Sequence, residues 1–299
     1  MFAKKMWGAD TIGFEDKFLS VDEVLKQSGL DFEVSMQPTY LSSGQQVPKC
    51  NAIVREDTNE VLGTAGDRYE LLSNKNAFAF FQPFVENKFA YIDNVGSFAN
   101  GLTFIQAKVA ATDAIEITKG DVIENYITLI NSFNGKSSIV ASFMPRRLFC
   151  TNQMPMLKSS KKLNVKHTKN CHVSLDTIKN IIDCSTGEFK ATCEQYRLLA
   201  AKGIDKKQLR EYVTLVLKDN SKDEEKEIRE SRIDEIETIF DRGMGLGENT
   251  RNYYGAFNAI NEVLNHHTGR SAENRLTSLW TGVNAKLNQR ALDVALSLI

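Results

Sequence analysis

The chain has no aspartate or glutamate between Asn125 and Leu175, a run of 51 residues that we call the acid-free segment. Of the 37 basic residues, 29 lie outside this segment together with all 38 acidic residues. The eight basic residues inside it are Lys136, Arg146, Arg147, Lys158, Lys161, Lys162, Lys166 and Lys169. Because a local positive field of this size is the usual footprint of a polyanion site, the missing acids favour a nucleic-acid partner.

Long apolar runs are also missing, since no stretch approaches the ~18 consecutive apolar residues of a membrane span. The first residues lack the apolar core of a signal peptide, so we expect a protein of the bacterial cytoplasm. The five cysteines are odd in number and irregularly spaced, which predicts reduced thiols. His167, Cys171 and His172 lie close together, but no further ligand pair completes a tetrahedral set, and no metal site is predicted.

Motifs for nucleotide chemistry are absent as well. Neither a P-loop pattern nor a GxSxG nucleophile pattern occurs. Gly243, Gly245 and Gly247 form a GxGxG, but they follow a helical pattern where a dinucleotide fingerprint requires a strand. We therefore predict no catalytic residues and no cofactor. An enzyme whose catalytic groups are scattered through the sequence remains an alternative.

Two Asn-Gly dipeptides lie between strand-like runs, and Asn-Gly is the strongest short-range signal for a hairpin. Asn100-Gly101 joins 91–98 to 102–110, and Asn134-Gly135 joins 123–132 to 136–144. Upstream, an extended run from Phe32 is interrupted at Pro38, and 50–55 with 61–63 predict another hairpin. Consecutive hairpins without crossover helices predict an antiparallel, meander-like sheet.

Helical patterns surround this sheet. Ser20 and Glu23 form a capping box for a helix at about 20–28 that Gly29 ends, and an aromatic-rich helix is expected at 77–86. Further helices are predicted at 174–203, 205–217, 251–265 and 285–298. The segment 219–237 is read as a charged connector or solvated helix. The sequence thus predicts an α+β fold, with a hairpin-rich antiparallel sheet domain at 1–173 and an all-helical region at 174–299.

Aromatic residues are interleaved with the bases of the acid-free segment, a mixture typical of surfaces for single-stranded nucleic acid. We expect its eight basic residues to contact the phosphates. Phe133 and Phe149 are the rings expected to stack on bases. Alternatively, Phe143 and Phe149 face inward, and the lysines are merely solvated or pair with the acidic residues of 219–237.

Several segments together resemble a known family, the phage/plasmid-like domain of unknown function (DUF932-like). They are Trp7-Gly8, the helix end Gly29-Leu30-Asp31-Phe32, Asp67-Arg68-Tyr69, 129–136, 147–154, Lys166-His167-Thr168, 254–259 and Trp280-Thr281-Gly282. The resemblance implies a phage or plasmid setting but no activity. The layout is more distantly similar to phage single-strand annealing proteins of the Rad52/Red-beta type. It suggests an ATP-independent binder or annealer of single-stranded DNA, or of RNA, that acts as a homo-oligomer. A structural or regulatory protein-interaction factor is the alternative.

Overall fold

An antiparallel sheet whose neighbouring strands mostly follow one another in the sequence forms the centre of the fold. The computed structural model describes residues 2–6, 9–17, 19–98, 101–133, 140–148, 152–156, 163–164, 175–218, 230–242 and 251–299. Within these residues the sheet has eight strands in the order β1-β2-β6-β7-β9-β10-β11, with β8 paired to β9. Its strands are β1 (Phe2–Met6), β2 (Ala9–Gly13), β6 (Ala90–Ser97), β7 (Leu102–Val109), β8 (Ile115–Thr118), β9 (Asp121–Ser132), β10 (Val140–Arg147) and β11 (Leu163–Asn164).

A smaller sheet of three strands contains β3 (Val34–Tyr40), β4 (Gln46–Arg55) and β5 (Val61–Ala65) in sequence order. The hairpin predicted at 50–63 is confirmed as the pairing of β4 with β5. Pro38 does not end its strand, in contrast to the sequence prediction. It lies within β3, an edge strand of this sheet, where a residue without an N–H is tolerated.

The described helices are α1 (Val21–Ser28), α2 (Asn74–Phe78), α3 (Gln82–Glu86), α4 (Leu175–Ala201), α5 (Lys206–Leu217), α6 (Glu230–Arg242), α7 (Tyr253–Glu262), α8 (Ala272–Thr281) and α9 (Val283–Ser297). A π-helical turn at Val263–His267 extends α7. The predicted capping box of α1 is confirmed, because Ser20 Oγ accepts from the Glu23 N–H at 3.3 Å and the Glu23 carboxylate accepts from the Ser20 N–H at 2.8 Å. Gly29 ends α1 with φ 66°.

One helical prediction needs correction, one helix was missed, and the described part of 219–237 agrees with the solvated helix that was predicted as one alternative. The helix expected at 77–86 is divided into α2, a 3-10 turn and α3, because Pro83 in the first turn of α3 cannot continue the hydrogen bonding of the preceding turn. Helix α8 was not predicted, since its sequence reads as a connection into Trp280-Thr281-Gly282. Within 219–237, the part described belongs to α6, which is packed on one side through Ile233 and Ile236. The predicted α+β class is nevertheless confirmed, with strands in the first half and helices in the second.

Two hydrophobic clusters lie on opposite faces of the central sheet because side chains alternate along a strand. Phe104 of β7 and Ile130 of β9 join the cluster formed mainly by α4–α9. Their neighbours Ile105 and Leu129 join the other cluster, together with α1–α3 and the small sheet. The sheet is therefore shared by both halves of the chain. The predicted boundary at 173/174 lies outside the described residues.

Candidate functional site

The described part of the acid-free segment centres on β10 and on residues 152–156. Strand β10 pairs with β9, and Arg146 and Arg147 lie opposite Glu124 and Ile123. Because successive side chains of a strand point to opposite faces, the two arginines enter different sides of the sheet. Both are buried. Residues 152–154 run back along the end of β10, with the Arg147 N–H donating to Asn152 O at 3.0 Å.

Arg146 belongs to a charged cluster on one face of the sheet. Its Nη2 donates to Asp93 Oδ2 at 2.9 Å and to the Tyr126 hydroxyl, and its guanidinium carbon lies 3.7 Å from the centre of the Tyr126 ring. The Tyr126 hydroxyl donates to Glu124 Oε2 at 3.0 Å, and Glu124 Oε1 forms an ion pair with Lys108. Burial raises the pKa of Tyr126, so its hydroxyl stays protonated. Two cations and two carboxylates balance within this cluster.

Arg147 forms a second buried ion pair on the opposite face. Its Nε donates to Asp121 Oδ1 at 2.7 Å, and the two side chains are 1% and 0% exposed. Burial raises the pKa of the nearby Glu262 carboxyl, although the charges of His267 and Arg147 oppose this shift. The charge of Arg147 is thus already compensated inside the fold.

Residue Gln153 is the centre of a buried amide network that joins the acid-free segment to the helices. Its N–H donates to Asn265 Oδ1 at 3.0 Å, and its carbonyl oxygen accepts from Asn265 Nδ2 and Asn288 Nδ2, each at 3.3 Å. Its side-chain Oε1 accepts from Trp280 Nε1. Asn288 Oδ1 in turn accepts from Asn261 Nδ2 at 2.9 Å. These contacts fix one short segment against α7, α8 and α9.

Next to this network, a cavity of about 450 Å³ lies between β10, residues 153–156 and the helices α8 and α9. We call it the junction cavity. One wall comes from the acid-free segment and the other from the last two helices, and prominent lining residues are Ser142, Phe143, Met154, Met156, Trp280 and Lys286. Arg290 also lines it, and its Nη2 donates to Leu215 O at 2.8 Å. Apolar and aromatic walls with a few polar groups are typical of small-ligand sites.

The predicted site residues are distributed differently from expectation. Arg146 and Arg147 are buried in ion pairs, where their guanidinium groups do not form a surface for phosphates. Phe133 is also buried, with its ring centre 5.7 Å from that of Phe32, so it offers no exposed face for stacking. The two arginines are buried because Asp93 and Asp121, which are distant in the sequence, neutralise them inside the fold. Seven predicted residues lie outside the described part, namely Lys136, Phe149, Lys158, Lys161, Lys162, Lys166 and Lys169.

Other residues of this region were not predicted as site residues. Gln153 and Trp280 occur in segments that carry the family resemblance, but nothing in the sequence indicates that they contact one another across 127 positions. Asn288 and Lys286 lie on α9 without any motif. Among the residues that the structure describes, no group of three or more His, Cys, Asp or Glu side chains could hold a metal ion.

The fold and the site together define a class of protein. It is an α+β protein in which both halves of the chain share the sheet, and the amide network joins the helical half to the last described strands of that sheet. Residues 61–280 match the model of the family described as domain of unknown function (DUF932), and the chain belongs to this family. The match extends from β5 to α8 and includes the whole acid-free segment. No curated protein and no solved structure matches the chain, so the likeness to single-strand annealing proteins stays a prediction. None of the described helices is long and apolar enough to cross a membrane.

Proposed function

We propose that the protein binds single-stranded nucleic acid, most concretely as an ATP-independent binder or annealer of DNA strands in a phage or plasmid setting. The observation that carries the proposal is the charge of the acid-free segment once the buried ion pairs are taken into account. Arg146 and Arg147 are neutralised by Asp93 and Asp121. Six lysines remain in a segment without any acidic residue. Such a surplus attracts polyanions.

Several described acids of α6 have arginine partners. Arg210 lies within ion-pair distance of Glu230, Asp234 and Glu237, with its Nη1 3.1 Å from Glu237 Oε1. Arg232 pairs with Glu235 in the same helix at 3.0 Å. This local pairing weakens the alternative in which the basic segment folds onto the part of the acidic segment that belongs to α6. It favours a partner outside the chain.

In the proposed mechanism, the lysines hold the phosphates and the bases lie towards the junction cavity, whose wall belongs to the same segment. Lys286 is exposed and adds a cation on the α9 side. Several protomers side by side would extend the strand path, and annealing would draw its free energy from base pairing. Since the phosphate contacts are electrostatic, binding should show little sequence preference and strong salt dependence.

The test is fluorescence anisotropy with a labelled single-stranded oligonucleotide over a series of salt concentrations. A triple variant with Lys158→Gln, Lys161→Gln and Lys162→Gln should lower affinity and reduce the slope of log K against log salt by about 2, at roughly 0.7 per lost phosphate contact. The matched control carries the same charge change at three exposed lysines elsewhere, namely Lys26, Lys119 and Lys206. Undetectable binding at low salt, or equal effects of the two triple variants, would contradict the proposal.

A protein-interaction role is the second candidate, favoured by one observation. The β3–β4 turn exposes two large side chains, Tyr40 and Leu41. Exposed apolar side chains clustered at a hairpin tip are suited to a contact with another protein. Light scattering together with pull-downs in the presence of nuclease separates the two candidates, because protein contacts survive nuclease treatment. Tyr40→Ser with Leu41→Ser should abolish such contacts without changing oligonucleotide binding.

A further inference from the structure

The junction cavity contains two buried polar atoms whose hydrogen-bonding capacity is unused. They are Ser142 Oγ and Gln153 Nε2, in residues that are 8% and 2% exposed, and neither has a hydrogen-bond partner within the described part of the chain. Both residues line the cavity. Buried polar atoms nearly always have a hydrogen-bond partner. The two atoms therefore indicate a ligand that forms the missing hydrogen bonds.

The orientation of the Gln153 amide follows from its neighbour. The indole Nε1–H of Trp280 can only donate, so the atom that it contacts must be the amide oxygen of Gln153. The NH₂ group of Gln153 is therefore the part left without a partner, and it requires an acceptor. A carbonyl oxygen of a ligand supplies one. Ser142 Oγ on β10 can donate or accept and adds a second polar contact.

The remaining walls restrict the shape of this ligand. Phe143, Met154, Met156 and Trp280 provide aromatic and thioether surfaces that suit a flat ring. Lys286, exposed on α9, and Arg290 provide two positive charges at the same cavity, against one negative charge from Asp293. A flat ring that carries a carbonyl group and is attached to an anion combines these requirements.

We propose that the junction cavity binds a carbonyl-bearing base of a nucleotide, that is thymine, uracil, cytosine or guanine, with Gln153 Nε2 donating to a base carbonyl. Lys286 attracts the phosphate. Adenine has no carbonyl group and leaves the Gln153 amide without its preferred acceptor. The inference deepens the proposed function, and it rests on that function if the bound base is part of a nucleic-acid strand. The base of a free mononucleotide would present the same carbonyl group, ring and phosphate to the cavity.

The experiment compares anisotropy titrations of the full chain with three oligonucleotides of equal length, which are oligo-dT, oligo-dA and an abasic backbone. A parallel titration follows tryptophan fluorescence with dTMP. We expect oligo-dT to bind more tightly than the abasic backbone by at least about fivefold, the weakest effect of one base stacked on an aromatic side chain. Gln153→Glu keeps an oxygen for Trp280 but removes the donor, and should lower oligo-dT affinity by about 2- to 10-fold.

Gln45→Glu is the matched control, because it makes the same chemical change on an exposed residue of the β3–β4 turn. Circular dichroism melting verifies that both variants fold, and Ser142→Ala supplies a second variant that adds no charge. The inference is supported if Gln153→Glu lowers the affinity for oligo-dT while Gln45→Glu leaves that affinity unchanged.

Other results divide the two proposals. Equal binding of oligo-dT and the abasic backbone, or unchanged oligo-dT affinity in both folded cavity variants, overturns the base site while strand binding stands. Binding of dTMP that depends on Gln153, without any oligonucleotide binding, supports the base site and overturns the proposed function. Failure of dTMP and of all three oligonucleotides to bind overturns both.

Discussion

Replacing Arg147 by alanine should destabilise the protein strongly, because its partner would remain buried. In the folded chain Arg147 Nε lies 2.7 Å from Asp121 Oδ1, and the Asp121 side chain is fully buried. Removing the cation leaves that carboxylate without its ion pair, which costs about 3–5 kcal/mol. With a urea dependence of about 3 kcal/mol per molar, the unfolding midpoint should fall by about 1–1.7 M.

Urea unfolding followed by circular dichroism measures this loss, and Arg210→Ala provides the comparison. Arg210 forms its ion pairs at the surface, where such pairs contribute about 0–1 kcal/mol. The double variant Arg147→Ala with Asp121→Ala should recover part of the stability, since it removes the stranded charge. If Arg147→Ala is no more harmful than Arg210→Ala, or if the double variant recovers nothing, the account of a buried, mutually dependent pair is refuted.

This prediction also decides how nucleic-acid binding has to be tested. If a variant that lacks Arg147 binds oligonucleotide more weakly, the cause could be the lower stability of the fold rather than a lost phosphate contact. Removal of Arg146 would likewise break an ion pair of the fold, although its partner Asp93 is partly exposed. The lysines of the acid-free segment are therefore the informative positions for binding.

Three further predictions concern buried groups. Burial raises the pKa of Tyr126 and Tyr212 above the usual value of about 10. The stability that the two neutral hydroxyl groups contribute is therefore fully present below pH ~10 and is lost as the pH rises further. An ultraviolet phenolate titration should show these tyrosines ionising only with alkaline unfolding, and reversible ionisation in folded protein would contradict it. Burial raises the pKa of Cys193 to about 12, so a thiol reagent at neutral pH should label exposed Cys184 and spare Cys193 until urea is added. Phe133→Ala should cost about 3–5 kcal/mol in urea unfolding, and a neutral effect would mean that its site is not packed.

Local signals in the sequence predicted much of the fold. Ser20 with Glu23 and Gly29 located both ends of α1, because a cap depends only on residues within a few positions. The Asn-Gly dipeptide at 100–101 predicted the β6–β7 hairpin. Gly101 has a positive φ of 72°, a conformation that glycine adopts readily in such turns. Helix α8 was missed because its buried side is complete only when Leu276 and Trp280 meet distant elements.

The candidate site was less predictable because its contacts join distant parts of the chain. The positive charge of the acid-free segment could be counted, but the burial of Arg146 depends on Asp93, which lies 53 positions away on another strand. The contact of Gln153 with Trp280 likewise depends on how the last helices pack against the sheet. The charge pattern of the sequence therefore indicated which region to consider. Only the three-dimensional structure showed that the two arginines of this region are buried in ion pairs and that other residues of it line the junction cavity.

Because Arg146 and Arg147 are adjacent in β10, their ion pairs should also favour the correct register of this strand during folding. A shift of β10 by one residue against β9 would turn every side chain to the opposite face. Arg146 would then lose its contact with Asp93, and Arg147 would lose its contact with Asp121. Mispaired sheets are thereby penalised twice, once on each face. This short basic dipeptide thus helps to select a single alignment for the sheet on which both halves of the protein are assembled.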